Sequence, residues 1–139
     1  MSGKFQNVEK KNKYRVKRAG SGLGLFAASR FRKNEFVIEY VGKKLTGKDA
    51  EGRYNKYLFE INSKLTIDGS SRKNIARYVN HSCRPNCEVR IYAKRVRIWT
   101  TCPVKPGEEF TYDYGKEYFD EYIKPFGCKC ANCRSKKRR

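Results

Sequence analysis

The chain has 139 residues, 38% of them hydrophobic, and 33 lysines and arginines against 14 acids leave a net charge of +19. That length suits one domain with its own core, and no apolar run approaches the ~20 residues of a bilayer-spanning helix. The start, Met1-Ser2-Gly3-Lys4-Phe5, is polar and lacks the apolar stretch of a secretory signal, so a reducing intracellular compartment is expected, where clustered cysteines serve metals more often than disulfides.

Such a positive excess is not needed for folding and favours polyanions. Non-specific contact with DNA or RNA would run through the two basic ends, Lys10, Lys11, Lys13, Arg15, Lys17 and Arg18 at the start and Arg134, Lys136, Lys137, Arg138 and Arg139 at the close. The plainer alternative is solvated ends that keep the chain soluble. Acids gather elsewhere, at Glu108, Glu109, Asp113, Glu117, Asp120 and Glu121. There they could draw in a cationic peptide or simply balance neighbouring lysines.

In chain order, the first signal is Gly20-Ser21-Gly22-Leu23-Gly24-Leu25-Phe26. Glycine admits positive φ and close backbone approach, so this stretch is either a hairpin turn or a backbone cradle for a ligand. It is not a dinucleotide fingerprint, because no strong strand precedes it and no helix follows. Runs rich in β-branched and aromatic residues predict strands at 35–41 (EFVIEYV), 57–61 (YLFEI), 65–67 and 96–100 (VRIWT), separated by turn residues. One short helix is predicted over 46–54 with Thr46 as N-cap, and a helical turn over 73–79. There is no internal repeat and no dividing linker. The fold class is mostly β.

The chemistry-bearing residues are few. Arg77-Tyr78-Val79-Asn80-His81-Ser82-Cys83-Arg84-Pro85-Asn86-Cys87 holds the one histidine and two of the six cysteines. Cys128, Cys130 and Cys133 cannot complete a tetrahedral site alone, so a fourth ligand is expected, either Cys83 or Cys87. Cys102, just before Pro103, reads as a buried free thiol. Tyr112 and Tyr114, two apart in a strand-like run, would point to one side, either as core packing or as phenols lining a slot.

Gly22-Leu23-Gly24, then Arg77-Tyr78-Val79-Asn80-His81-Ser82-Cys83 with Pro85-Asn86-Cys87, then Gly107-Glu108-Glu109 and Tyr112-Asp113-Tyr114, followed by a cysteine-rich tail, stand in that order. Together with Glu39-Tyr40-Val41-Gly42, Tyr57-Leu58-Phe59 and Ile67-Asp68-Gly69, this set resembles the SET-domain protein-lysine methyltransferases with a post-SET zinc segment. The resemblance runs from about residue 14 to residue 133. It divides the chain into a basic extension (1–13), a SET domain (14–116) and a post-SET zinc segment with a basic tail (117–139).

The resemblance implies small twisted sheets around a threaded C-terminal segment and a zinc-binding tail. It implies that Ser21, Gly22, Leu23, Tyr57, Arg77, Asn80 and His81 hold S-adenosylmethionine. The His81 ring would serve structure while its backbone meets the cofactor. Tyr114 matches the catalytic tyrosine, Tyr40 and Tyr112 match residues of the channel that admits the target lysine, and one structural zinc ion would sit on Cys83, Cys128, Cys130 and Cys133. The tail spacing Cys-x-Cys-x2-Cys departs from the family's usual Cys-x-Cys-x4-Cys, though two intervening residues suit zinc chelation.

Methyl transfer to lysine needs a neutral amine, whereas a free lysine (pKa ~10.4) is protonated at neutral pH. An aromatic channel and a nearby sulfonium charge both disfavour the ammonium, and positioning the reacting atoms ~3–3.5 Å apart supplies much of the rate. A tyrosine at position 112 leaves less room for a methylated amine than phenylalanine would. Monomethylation is therefore expected, with dimethylation second. The implied substrate is a basic protein, histone or ribosomal, met by a monomer without a membrane partner, in the nucleus of a eukaryote or the cytoplasm or nucleoid of a bacterium. The alternative reading is a non-catalytic nucleic-acid-binding zinc module on the same scaffold. Against it, Asn80, His81, Tyr114 and the glycine loop are all present together.

Overall fold

Alternation of apolar and polar side chains builds small sheets here rather than one large one. The computed structural model describes residues 13–20, 22–53, 55–130 and 133; Ser21 and the basic residues Lys10, Lys11, Arg134, Lys136, Lys137, Arg138 and Arg139 lie outside the described residues. Strands β1 (Tyr14–Ala19) and β2 (Gly22–Ala27) form an antiparallel hairpin whose register ends at Ala19 opposite Gly22, so the glycine-rich stretch is a hairpin turn followed by a strand.

β3 (Phe36–Tyr40), β8 (Cys87–Tyr92) and β9 (Arg95–Thr100) make an antiparallel sheet in the order β3-β9-β8. Along β9, Val96, Ile98 and Thr100 are buried while Arg95, Arg97 and Trp99 face outward, the period of two that a half-buried strand requires. A second sheet has the order β4-β6-β5 from β4 (Lys43–Thr46), β5 (Leu58–Asn62) and β6 (Leu65–Asp68). Between the pairs lies α1 (Gly47–Ala50).

The helix predicted over 46–54 is therefore only one turn long. Thr46 Oγ1 does accept the Asp49 N–H at 3.2 Å as an N-cap, but Glu51 is extended (ψ 133°) and Gly52 has φ +75°, which stops propagation. The turn predicted over 73–79 is a 3-10 turn, Ile75–Tyr78.

The segment from Gly107 to Tyr114 positions the site. On one side β2 holds it: Gly107 N–H donates to Ala27 O, Ala27 N–H to Glu108 O, and Phe110 N–H to Leu25 O, each at 2.8 Å. On the other side β10 (Thr111–Tyr112) pairs in parallel with β7 (Asn80–His81). Asn86 clamps the same segment, donating from Nδ2 to Glu109 O and accepting the Thr111 N–H at Oδ1, both at 2.9 Å. The core beneath it is Leu25, Phe31, Val37, Ile38, Val79, Val96, Ile98, Val104 and Phe110, with Phe31 and Phe110 packed edge to face at 5.0 Å. Beyond Gly115 the chain continues through α2 (Lys116–Tyr118), a wide turn over Phe119–Ile123 and a 3-10 turn over Lys124–Phe126.

Cys102 is exposed, not buried. Thr100, wholly buried, is the last residue of β9, and the chain leaves the sheet at Thr101, whose N–H reaches Asn86 O, so the next side chain projects outward ahead of Pro103.

Candidate active site

One cleft of about 1370 Å³ runs between the β7–β10 pair and the 57–60 strand region, lined at one end by Tyr40, Tyr112, Tyr114 and Tyr118 and at the other by Gly22, Leu23, Asn80 and His81. The phenols pack in a chain of tilted and edge-to-face contacts. Ring centroids lie 4.7 Å apart for Tyr112 and Tyr114, 4.8 Å for Tyr114 and Tyr118, and 4.8 Å for Tyr118 and Tyr122.

Two hydroxyl hydrogens of the slot, those of Tyr40 and Tyr114, are anchored on backbone. Tyr40 donates to Tyr57 O at 2.7 Å and Tyr114 donates to Val79 O, which leaves each oxygen's lone pairs for a guest. The Tyr112 hydroxyl engages no described side chain and lines the cleft. Burial, reinforced by neighbouring phenols, pushes the Tyr40, Tyr112 and Tyr114 hydroxyls well above the ordinary tyrosine range, and burial takes Tyr118 up to about 12. These groups are neutral dipoles at physiological pH, not phenolate bases.

The Tyr40 end is held by a residue that motif reading passes over. Asn74, 1% exposed, accepts the Val41 N–H at 3.0 Å and donates to Gly69 O at 3.0 Å. Gly69 lies flat against the phenol: a Cβ there would stand 2.4 Å from the Tyr40 ring and 2.5 Å from Asn74 Nδ2. Tyr57 O receives both the Tyr40 hydroxyl and the Gly69 N–H, and the Arg77 guanidinium stacks 4.1 Å over the Tyr57 ring.

At the other end Asn80 spends its amide hydrogens on Leu23 O at 2.9 Å and Glu109 Oε2 at 2.8 Å. Gly24 makes that clamp possible, since a Cβ would stand 2.4 Å from the Glu109 carboxylate. Glu109 is thus tied to Asn80 rather than offered to a cationic peptide, and Asp120 is paired with Lys116 at 2.8 Å. Asp113, also exposed, lies 3.8 Å from His81 Nδ1.

The His81 ring is a strut. Its Nδ1 accepts the Tyr114 N–H at 3.1 Å, and its Nε2 lies 3.4 Å from Cys83 Sγ. Burial holds the imidazole below its ordinary pKa, with Asp113 opposing, so the ring is neutral. With Nδ1 accepting, the proton sits on Nε2 and points at the sulfur. Tyr114 and Phe119 flank the ring at 5.5 and 5.4 Å.

Cys83, Cys128, Cys130 and Cys133 bring all four Sγ atoms within 4.8 Å of one another. Four thiolates at ~2.3 Å from a zinc ion stand roughly 3.8 Å apart; here Cys83 lies 3.6 Å from Cys133 and 4.0 Å from Cys128. The group could hold a metal ion, and soft sulfur donors at that spacing fit zinc. Cys87 is buried in β8, outside the group. Burial and the adjoining thiols raise Cys83, and burial raises Cys128 to about 11, whereas backbone amides of Cys83 and Cys133 overcome burial to bring Cys130 down to about 6.

The structure therefore gathers Gly22, Leu23, Tyr57, Arg77, Asn80, His81, Tyr40, Tyr112 and Tyr114 around one cleft, and Cys128 and Cys130 of the four-cysteine group line it as well. Sequence reading missed Tyr118 and Tyr122, although Tyr114, Tyr118 and Tyr122 repeat every four residues.

This cleft, the parallel β7–β10 pair and the small sheets define a SET domain. The family model described as SET domain matches residues 22–115, and the chain belongs to that family. Over 92% of its length it is 38% identical to "Histone-lysine N-methyltransferase, H3 lysine-4 specific" of Emericella nidulans, and it spans 12% of that protein. It is 33% identical over 84% of its length to "Histone-lysine N-methyltransferase ASHH1" of Arabidopsis thaliana, spanning 26% of it. With "Histone-lysine N-methyltransferase 2D" of Homo sapiens it shares 38% identity over 90% of its length, spanning 2% of that protein.

Proposed function

We propose that this chain is a protein-lysine N-methyltransferase, using S-adenosylmethionine to modify a lysine of a histone-like basic protein, with monomethylation favoured and dimethylation second. The observation that carries the reading is the neutral tyrosine slot of Tyr40, Tyr112, Tyr114 and Tyr118 meeting the Gly22–Leu23 and Asn80–His81 backbone in one cleft. The names of the relatives agree with it.

S-adenosylmethionine supplies an electrophilic methyl group on a sulfonium. The chain's own residues do the rest. Gly22, Leu23, Tyr57, Arg77, Asn80 and His81 would bind and orient the donor. Tyr40, Tyr112 and Tyr118 exclude water from the lysine, and in that surrounding the ammonium gives up its proton more readily. Tyr114, its hydrogen held by Val79 O, presents oxygen lone pairs toward the reacting centre and fixes the line of attack, a contribution of positioning and electrostatics rather than of base catalysis. Cys83, Cys128, Cys130 and Cys133 would hold one structural zinc ion. The enzyme acts as a monomer, in the nucleus if the source is eukaryotic; no helix among the described residues is long and apolar enough to cross a membrane.

The test is transfer of labelled methyl to a panel of histones and ribosomal proteins, comparing wild type with Tyr114→Phe. Removing that oriented hydroxyl should cost about 10²–10³ in rate. Wild type that neither transfers label nor binds the donor would overturn the reading.

A further inference from the structure

Between Lys10 and Asn34 the sequence contains no acid, and this stretch supplies the β1–β2 hairpin and the loop after it. Arg15, Lys17, Arg18, Arg30, Arg32 and Lys33 are exposed. None of them is ion-paired among the described residues, whose ion pairs are His81–Asp113, Arg90–Glu88, Arg95–Glu39 and Lys116–Asp120. Among the described residues β1 is an edge: β2 is its one neighbour in the sheet, and the other side of β2 is taken by the 107–110 segment. Cations on an edge strand guard it from other strands. Here three of the six residues of β1 are basic, and three more cations follow past the foot of the hairpin, where Ala28 N–H bonds Lys13 O at 2.7 Å.

We propose that this hairpin is a docking site for the phosphate backbone of duplex DNA, an inference that rests on the reading of a histone-like substrate. Three observations carry it. Arg15 and Lys17, two apart in β1, share one side of the ribbon about 7 Å from each other, a spacing suited to successive phosphates, while Arg18 lies on the other side at the tip. The six-residue strand is about 20 Å long, roughly six base-pair steps of duplex. Among the described residues the face also offers no uncovered aromatic ring: Tyr14 is buried and the Lys17 ammonium lies over Phe26 at 5.0 Å. Single strands are held by stacking on exposed rings, whereas a row of cations without ion-pair partners, its neighbouring Phe26 ring capped by Lys17, reads charge density, greatest along a duplex. Docking there neutralises part of the +19 charge that otherwise repels a basic substrate, and it sets DNA beside Gly22 and Leu23 at one end of the cleft.

The test is anisotropy of a labelled DNA duplex titrated with the full chain, without methyl donor, across a salt series. Each phosphate contact contributes about 0.9 to the slope of log affinity against log salt. Arg15→Glu/Lys17→Gln/Arg18→Glu should therefore lower the slope by roughly 2–3, about a hundredfold loss at ~0.15 M salt. Lys43→Gln/Lys44→Gln on the exposed part of β4, and neutralisation of the tail at Lys136, Lys137, Arg138 and Arg139, should leave most of the slope in place. A slope that falls with the tail and survives the β1 variant overturns the site. Tighter binding of an RNA duplex or of single strands overturns the assignment to DNA. If the β1 variant does not fold, Arg30→Gln/Arg32→Gln/Lys33→Gln tests the other half of the row by the same slope. Methylation of a free peptide, read in parallel, separates the two ideas: peptide turnover without DNA binding removes the docking site alone, and DNA binding without peptide turnover removes the catalytic reading alone.

Discussion

Replacing His81 by alanine should weaken metal binding by the cysteine cluster, although His81 is not one of its four thiols. The ring's Nε2–H is 3.4 Å from Cys83 Sγ, and its Nδ1 is fixed by the Tyr114 N–H at 3.1 Å. The alanine variant removes a charge-assisted hydrogen bond to a thiolate and loosens the backbone that aims it. Outer partners of metal ligands are worth 10–100-fold in affinity, or about 1.4–2.7 kcal/mol. The ring is also packed between Tyr114 and Phe119, so its loss leaves a cavity beside the tyrosine slot. A zinc competition titration against a chromophoric chelator should show the apparent Kd rising at least tenfold, with methyl transfer falling even at saturating zinc because Tyr114 has lost its brace. A His81→Ala protein that holds zinc within twofold of wild type would refute the strut.

Tyr112→Phe removes the hydroxyl that crowds the lysine end of the cleft, so mass spectrometry of a methylated peptide should show a shift towards di- and trimethyl-lysine; an unchanged product distribution would count against the role given to Tyr112. Asn74→Ala strands the Val41 N–H and Gly69 O in a buried site, at about 1–3 kcal/mol for each group. Calorimetry should find Tm lower by roughly 10 °C, and a shift under about 2 °C would be inconsistent with the clamp. Burial raises the pKa of Tyr40, Tyr112, Tyr114 and Tyr118, so above pH ~10 the unfolded chain sheds protons that the native one keeps. The tyrosine contribution to stability should stay level below that pH and fall above it, with part of the 295 nm phenolate signal appearing only on unfolding.

Strands β3, β5, β6 and β9 were legible because their β-branched runs end at glycine, asparagine or proline. β8 was not, since its hairpin turn to β9 is made by Ala93 and Lys94 at φ 53° and 61°, residues that carry no turn signature, and its outer positions are Glu88, Arg90 and Tyr92. β1 was hidden under its arginines and lysines, which satisfy an exposed ribbon without advertising one. The site was legible as motifs, but its geometry was not. Nothing local in Asn74 says that it bonds residues 33 and 5 positions away, and nothing in Asn80 says that its amide is spent on Leu23 and Glu109. Cys102 shows the converse error, a cysteine judged by its neighbours whose burial is decided by where β9 ends.

The parallel pairing of β7 with β10 has a bearing on how the protein comes into being. Tyr114 meets His81 and Val79 across 33 and 35 residues of chain, and Cys83 meets Cys128 and Cys133 across 45 and 50. Local hairpins such as β1–β2 and β8–β9 can close early, but these contacts return nothing until long loops have been drawn shut. Before residues 107–114 have been added, the segment from β1 to β9 can carry sheets and no slot. The tyrosine cleft is assembled only once β10 has joined β7, so a half-folded copy has no partially formed site.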